Sequence, residues 1–278
     1  MSERDAATIW TPAEAAGRVR GRERLIDRKV LVVGAGSQPC DDADAPLGNG
    51  RAISILCARE GAHVACADRS ESAARETLQQ IESEGHRGVV LVGDVTEEAA
   101  CARLVVEAEQ ALGGLDAVVL NVGIGYGRGL ENTPVEAWDQ TFAINLRSHF
   151  LIARAALPRL STGASIVFVS SIASLKPGTG IPAYDASKAG LAGLCRHVAF
   201  EGARRGVRAN LVVPGLIDTP LGRLASRGHP SRATTAVPLG REGTAWEVAY
   251  ATVFLLSAES SYVTGQSLVV DGGLSALR

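Results

Sequence analysis

Tyr184 and Lys188 stand four residues apart in the run Tyr184-Asp185-Ala186-Ser187-Lys188. On a helix that spacing brings a phenol and an ammonium to one face. A free phenol, with a pKa of about 10, is a poor base at neutral pH. A neighbouring cation stabilises the phenolate and lowers that value, which suits the phenol to proton transfer. The chain has only three lysines, Lys29, Lys176 and Lys188, so the pairing carries information. Taken alone, such a pair is more often one on a helix surface. Ser170 and Ser171 close the apolar run Ile166–Val169, and Asn121 closes another, ahead of Val122 and Gly123. Pro214-Gly215 breaks the chain after a third run, and Thr219 follows in the loop. Asn145 falls inside a helical pattern, where a polar side chain more often marks a solvated face.

A second group of residues points to a phosphate-bearing ligand. Gly34-Ala35-Gly36-Ser37 follows an apolar run, and Gly48-Asn49-Gly50-Arg51 opens a helical pattern. Glycines serve where a backbone turns tightly and approaches a pyrophosphate, and a helix N-terminus adds free N–H groups. The strand–turn–helix context is the one a dinucleotide site requires. Asp68 ends the next apolar run. An acid there accepts hydrogen bonds from a ribose diol and repels a 2′-phosphate, which favours NAD over NADP. Arg69 follows at once and could meet that phosphate, whereas Leu47 offers no charge. Between the glycine clusters, Gln38 to Leu47 carries Asp41, Asp42 and Asp44. Carboxylates beside a phosphate site are unfavourable unless solvated, so this insert is expected to bulge outward as a solvated loop; a cation site is the alternative.

These residues need a scaffold that presents strand ends and helix starts together. Lys29–Val33, Ala62–Ala67, Val89–Val92, Ala117–Leu120, Ser165–Val169, Arg208–Val213 and Ser267–Val270 read as strands. Most are near-continuous in apolar residues, as strands covered on both faces should be. Helical patterns lie between them at Gly50–Glu60, Glu71–Glu84, Glu97–Leu112, Pro134–Leu160, Tyr184–Arg205 and Thr244–Leu256. Such alternation predicts an α/β fold: a single doubly wound parallel sheet with helices on both faces, a Rossmann fold spanning 29–278. Its ligand crevice lies beyond the C-terminal strand ends. Residues 1–28 form an N-terminal arm. Thr11-Pro12-Ala13-Glu14 reads as a capping box starting a short helix, and the arm either packs on another subunit or frays.

With 278 residues, 46% of them hydrophobic, one large core is expected. The net charge of -2 gives no reason to expect nucleic acid or an anionic membrane as partner. No apolar run reaches the ~18 residues of a membrane helix, and the first residues lack the apolar stretch of a signal peptide. Five widely spaced cysteines suggest reduced thiols in a cytoplasmic protein. The five histidines show no metal-ligand spacing, so no metal is expected.

In combination these motifs resemble the short-chain dehydrogenase/reductase family from about Lys29 to Gly273. The pattern consists of the glycine-rich turn, Asp94-Val95, Asn121-Val122-Gly123, Asn145, Ser171, Tyr184 with Lys188, Pro214-Gly215 and Asp271-Gly272-Gly273. The resemblance implies an NAD(P)-dependent interconversion of a secondary alcohol and a ketone, carried out by a homotetramer. It makes Tyr184 the acid/base on the substrate oxygen and Ser171 its hydrogen-bonding partner. It gives Lys188 the nicotinamide ribose and the lowering of the Tyr184 pKa, and Asn145 a proton-relaying water. Asp94 and Val95 fall to the adenine, Ile217 and Thr219 to the carboxamide. Three features depart from the family pattern: the insert, Leu120 and Val122 where asparagine and alanine are usual, and the arm. Reduction of a 3-oxoacyl thioester on a carrier protein is the alternative reaction, and a non-catalytic dinucleotide-binding regulator the alternative of another class. The loop from Leu216 to Gly240 is expected to shape the substrate pocket. It gathers Arg223, Arg227, His229 and Arg232, which suit an anionic substrate or else are solvated arginines on a lid.

Overall fold

The computed structural model describes residues 10–277, apart from 177, 229–231 and 233. The apolar runs form seven strands in one sheet: β1 (Lys29–Val33), β2 (His63–Asp68), β3 (Gly88–Val92), β4 (Ala117–Leu120), β5 (Ser165–Val169), β6 (Arg208–Pro214) and β9 (Ser267–Val270). Every pairing is parallel and the spatial order is β3-β2-β1-β4-β5-β6-β9. The chain steps from β1 out to β3 and returns to β4 on the other side of β1. This switch point leaves a crevice at the C-terminal ends of β1 and β4.

Side chains alternate across the sheet. Leu31 and Val33 join one core with Leu104, Leu151 and Phe168, while Val30 and Val32 join another with Ile53, Leu56 and Val253. Both faces are therefore covered, which is why the strands are apolar throughout. The helices are α1 (Asn49–Arg59), α2 (Glu71–Ser83), α3 (Glu98–Leu112), α4 (Val135–Phe142), α5 (Ser148–Ala156) and α6 (Pro182–Gly202). Beyond β6 come β7 (Ile217–Asp218), α7 (Pro220–Gly228), β8 (Gly243–Thr244) and α8 (Ala245–Leu256). The last begins with a full capping box between Thr244 and Glu247.

Three local expectations are corrected. The single helix over 134–160 is broken by a π-helical turn at Ala143–Arg147, between α4 and α5. The stretch 216–240 contains helix α7. The capping-box sequence at Thr11 starts no helix, only a turn over 13–17 closed by Gly17 N–H to Glu14 O. Residues 10–28 pack on their own chain. Leu25 and Ala15 are buried, Glu60 accepts from the Arg22 and Arg24 backbones and from the Arg24 guanidinium, and Thr244 Oγ1 donates to Ala15 O.

Gly50 shows how tightly the first turn is built. A Cβ there would sit 1.8 Å from Gly34 O, a backbone atom that cannot yield. Gly50→Ala is expected to cost about 3 kcal/mol or more, at the upper end of overpacking penalties. Chemical denaturation of the purified variant measures it; an unchanged midpoint would mean that α1 can shift away from β1.

Candidate active site

A cleft of about 780 Å³ opens at the switch point. Gly34, Gly36, Ser37, Gly48, Asn49 and Gly50 line it, with Asp68, Arg69, Asp94 and Val95 and, further along, Asn121, Gly123, Tyr184, Lys188 and Thr219. Ser37 Oγ accepts from Gly48 N at 3.1 Å and ties the two glycine clusters together across the insert. Asn121 Nδ2 donates to Gly34 O at 2.9 Å and fixes the end of β4 against the turn. Asp68 accepts from Gly36 N at 2.9 Å and from Ser70 N at 3.0 Å, which aims its carboxylate at the turn. Asp94 lies below the usual carboxylate range, chiefly through its hydrogen bonds from Thr96, with the nearby Arg69 charge adding to them.

The cleft fits a dinucleotide. No side chain caps α1, so its first N–H groups face the cleft beside Gly48. Asn49 Oδ1, at the same helix start, is buried without a hydrogen-bond partner. The remaining expected contacts lie behind the wall. Ile217 is in the core with its Cδ1 facing Gly243, and a Cβ on Gly215 would meet Asp271 at 2.6 Å. Neither these nor Pro214 line the cleft.

Helix α6 begins with Pro182 in its first turn and carries Tyr184 and Lys188 on one face. Lys188 Nζ is buried, donates to Val169 O at 3.0 Å and lies 5.9 Å from the centre of the Tyr184 ring. The loop passes close above it: a Cβ at Gly123 would come within 2.9 Å of Nζ, so a larger residue there would have to displace the ammonium. Burial pushes the Lys188 pKa down to about 8. Burial raises the Tyr184 pKa, opposed by hydrogen bonding with the Ser171 hydroxyl; Asp185 adds to the rise and Arg232 opposes it. The net direction in the chain alone is the reverse of that expected from Lys188.

Asn145 sits in the π-helical turn and is fully buried, not on a solvated face. Its Oδ1 accepts from Ile124 N at 2.8 Å, and its Nδ2 donates to Ile124 O at 2.8 Å and to Ser187 Oγ at 3.0 Å. The turn widens the helix at the one place where a side chain must reach sideways to the β4 loop. Ser187 was not singled out from sequence. It links Asn145 to the Tyr184 carbonyl, to which it donates at 2.9 Å. Its position beside Lys188, as a polar residue on a buried helix face, was the available signal.

The lid arginines are ion-paired or hydrogen-bonded, although Arg227 stays exposed. Arg223 pairs with Asp218, Asp42 and Asp44, at 2.7 Å, 3.1 Å and 2.7 Å, and Arg227 pairs with Asp42 at 2.5 Å. Arg232 bonds Gly222 O and Ser226 Oγ and lies 3.5 Å from Glu242. His229 is outside the described residues. The insert is exposed at Asp41 and Asp44 as expected, but Cys40, Asp41, Ala45, Pro46 and Leu47 also line the cleft, and Asp42 and Asp44 face arginines.

A family model described as Enoyl-(Acyl carrier protein) reductase matches residues 45–275. The chain is 36% identical over 265 residues to an uncharacterised oxidoreductase of Bacillus subtilis, covering 92% of this chain and 85% of that protein. It is 37% identical over 262 residues to the (3R)-3-hydroxyacyl-CoA dehydrogenase of Mus musculus, covering 90% and 97%. It is 36% identical over 257 residues to the 3-oxoacyl-[acyl-carrier-protein] reductase of Thermotoga maritima, covering 90% and 99%. A short-chain dehydrogenase/reductase structure from Burkholderia xenovorans superposes with a TM-score of 0.83 at 34% identity, over 91% of this chain and 98% of that one. The chain belongs to the short-chain dehydrogenase/reductase family. That family binds nicotinamide dinucleotides and works on hydroxyl and carbonyl groups.

For a short-chain dehydrogenase/reductase, Leu120 and Val122 are departures, and a histidine stands behind the first. His149 is buried, with Nε2 3.2 Å from Leu120 O and Nδ1 3.1 Å from Ser148 Oγ. Burial, helped by the Lys188 charge, pushes its pKa down to about 3. The folded state thus takes up this proton far less readily than the unfolded chain, whose histidine titrates near 6.5. Stability from this group is complete above about pH 6.5 and drains away as pH falls toward 3. Between pH 7 and 5 the wild type should lose roughly 2 kcal/mol through it. Urea denaturation at both pH values, compared with His149→Gln, checks this; equal slopes would place the acid sensitivity elsewhere.

Proposed function

We propose that this enzyme interconverts a secondary alcohol and a ketone with Tyr184 as the proton-transfer residue, and that it uses NAD in preference to NADP. The observation that carries the reading is the buried Lys188 on the Tyr184 face of α6, with Asn145 beneath the same loop. A bound nicotinamide supplies or accepts the hydride. In the reductive direction Tyr184 Oη gives its proton to the carbonyl oxygen as that oxygen becomes an alcohol; oxidation returns it. A phenol held protonated by burial is ready as the acid. Ser171, hydrogen-bonded with Tyr184, holds the same oxygen. Lys188 would take the nicotinamide ribose, and Asn145 would support the water that restores protons to it. Asp94 and Val95 would meet the adenine, and Thr219 the carboxamide.

The NAD preference rests on Asp68, oriented by two backbone N–H groups, and on Leu47, which brings no charge. The exposed apolar side chains of Phe150 and Phe200 leave surface that a homotetramer would cover. Free Cys57, Cys66, Cys101 and Cys195, all buried, suit a reducing cytoplasm. Among the described residues no helix is long and apolar enough to cross a membrane. The mouse hydroxyacyl-CoA and Thermotoga oxoacyl relatives favour a second reading, in which the substrate is a 3-oxoacyl thioester. A panel of cyclic diols, sugars, steroids and 3-oxoacyl thioesters with both cofactors separates the two. Turnover of any of them excludes a non-catalytic regulator.

Tyr184→Phe is expected to bind dinucleotide normally and to lose about 10²–10⁴-fold in kcat, the range for a removed acid/base group. Lys188→Arg should be severe although charge is kept, because a planar guanidinium does not replace a compact ammonium. Near-wild-type turnover by Tyr184→Phe would remove the assignment. Titration of NADH and NADPH by fluorescence should show a preference for NADH of roughly 10²-fold, the cost of burying a phosphate beside an unpaired carboxylate. Equal or tighter NADPH binding would mean that Arg69 turns inward.

A further inference from the structure

The acidic insert and the substrate-side lid are 179 to 185 residues apart in sequence, yet they are joined by a continuous ionic network. Arg223 on α7 is its hub. Its Nε and Nη2 hold Asp218 at 2.7 Å and 3.0 Å, and its Nη1 and Nη2 hold Asp44 at 2.7 Å and 3.2 Å. Nη1 also reaches Asp42 at 3.1 Å, and Arg227 takes the other Asp42 oxygen at 2.5 Å. The fork geometry of arginine suits such bidentate contacts. The guanidinium of Arg223 is largely covered, while Asp44 and Arg227 reach solvent. Every partner is one of the chain's own side chains.

The location gives the network a consequence. Cys40, Asp41, Pro46 and Leu47 of the insert form one wall of the cleft, and Pro220 and Leu221 of the lid form another. The ion pairs connect these two walls on their outer side, around a hollow of about 430 Å³ lined by Asp42, Asp218, Arg223 and Glu242. A dinucleotide whose pyrophosphate lies at the Gly48–Gly50 helix start would sit inside the connection. We propose that the Asp42/Asp44–Arg223–Arg227 network is a strap across the mouth of the dinucleotide cleft, so that the cofactor enters and leaves only when it opens. This rests on the dinucleotide reading of the cleft. Because opening separates the walls without breaking a contact to the cofactor, entry and release slow together and affinity changes little. Exposed ion pairs weaken as salt screens them, so the strap also makes exchange depend on ionic strength.

Stopped-flow fluorescence of NADH with the full-length protein tests this. Association is followed by mixing, and release by trapping with excess NAD, at low and high NaCl. The variants are Asp42→Asn/Asp44→Asn and Arg223→Gln; the first changes one exposed and one half-buried carboxylate without altering their size and covers the case in which the second folds poorly. At low salt each variant should bind and release NADH about 10-fold faster than wild type, with Kd moved less than about 3-fold. High salt should bring the wild type toward the variants. A faster release with unchanged association would overturn the strap, since it would mean that the insert contacts the cofactor directly. So would unchanged rates in both variants. Wild type that binds neither NADH nor NADPH at equilibrium overturns the dinucleotide reading and the strap with it, whereas tight binding with unaltered exchange overturns the strap alone.

Discussion

Lys188 carries an ammonium into the protein interior, where burial lowers its pKa to about 8 and one carbonyl, Val169 O, accepts a hydrogen bond from it. A cation so poorly solvated is costly unless the structure supplies partners around it. Much of the architecture can be understood as that supply. Strand β5 ends at Val169, whose carbonyl accepts from Nζ, and the next residue, Ser170, donates its Oγ to the Lys188 carbonyl at 3.0 Å. Strand β4 ends in a loop that passes close over Nζ at Gly123, where an added Cβ would push on the ammonium. The same loop is pinned from below by Asn145, whose reach requires the π-helical turn. Two strand ends, one loop and one helix defect converge on a single ammonium.

The charge also governs its neighbours. His149 is held neutral chiefly by burial and partly because Lys188 is close, and its contact with Leu120 O braces the end of β4. Tyr184 is left with a raised pKa, so in the chain alone the phenol is an acid in waiting and not a base. A proton donor of this kind favours protonating a developing alkoxide. For the oxidative direction the phenol must give its proton up first, which places that demand on whatever lies between Tyr184 and Lys188 when the cleft is filled.

The strands were readable because each is buried on both faces and so written in nearly unbroken apolar residues; all seven appear within a residue of where the sequence predicts them. Tyr184 and Lys188 were readable because their chemistry is carried by type and spacing. Asn145 was not, since a polar residue in a helix reads as solvated, and nothing in its own sequence neighbourhood states that the helix widens there. It came only through the family pattern. The pairing of Asp42 and Asp44 with Arg223 and Arg227 was hidden for a different reason. Carboxylates in a loop and arginines in a lid each look solvated alone, and only the fold brings segments some 180 residues apart together. The raised Tyr184 pKa was missed because spacing gives the distance to a charge but not the burial that opposes it.

The insert now poses less of a contradiction. Its carboxylates stand beside a cleft built for phosphate, and unpaired they would repel the ligand that the glycines and the helix start attract. Across the cluster, however, the carboxylates of Asp42, Asp44 and Asp218 meet the guanidiniums of Arg223 and Arg227, and Glu242 lies near Arg232, so most of the insert's charge is offset and Asp41 is the carboxylate left on the cleft wall. The arginines that would otherwise have recruited an anionic substrate are spent on making the insert tolerable. Cofactor end and substrate end are therefore not separable parts: an insert of this charge requires a lid of the opposite charge, and the lid's own specificity must come from side chains other than Arg223 and Arg227.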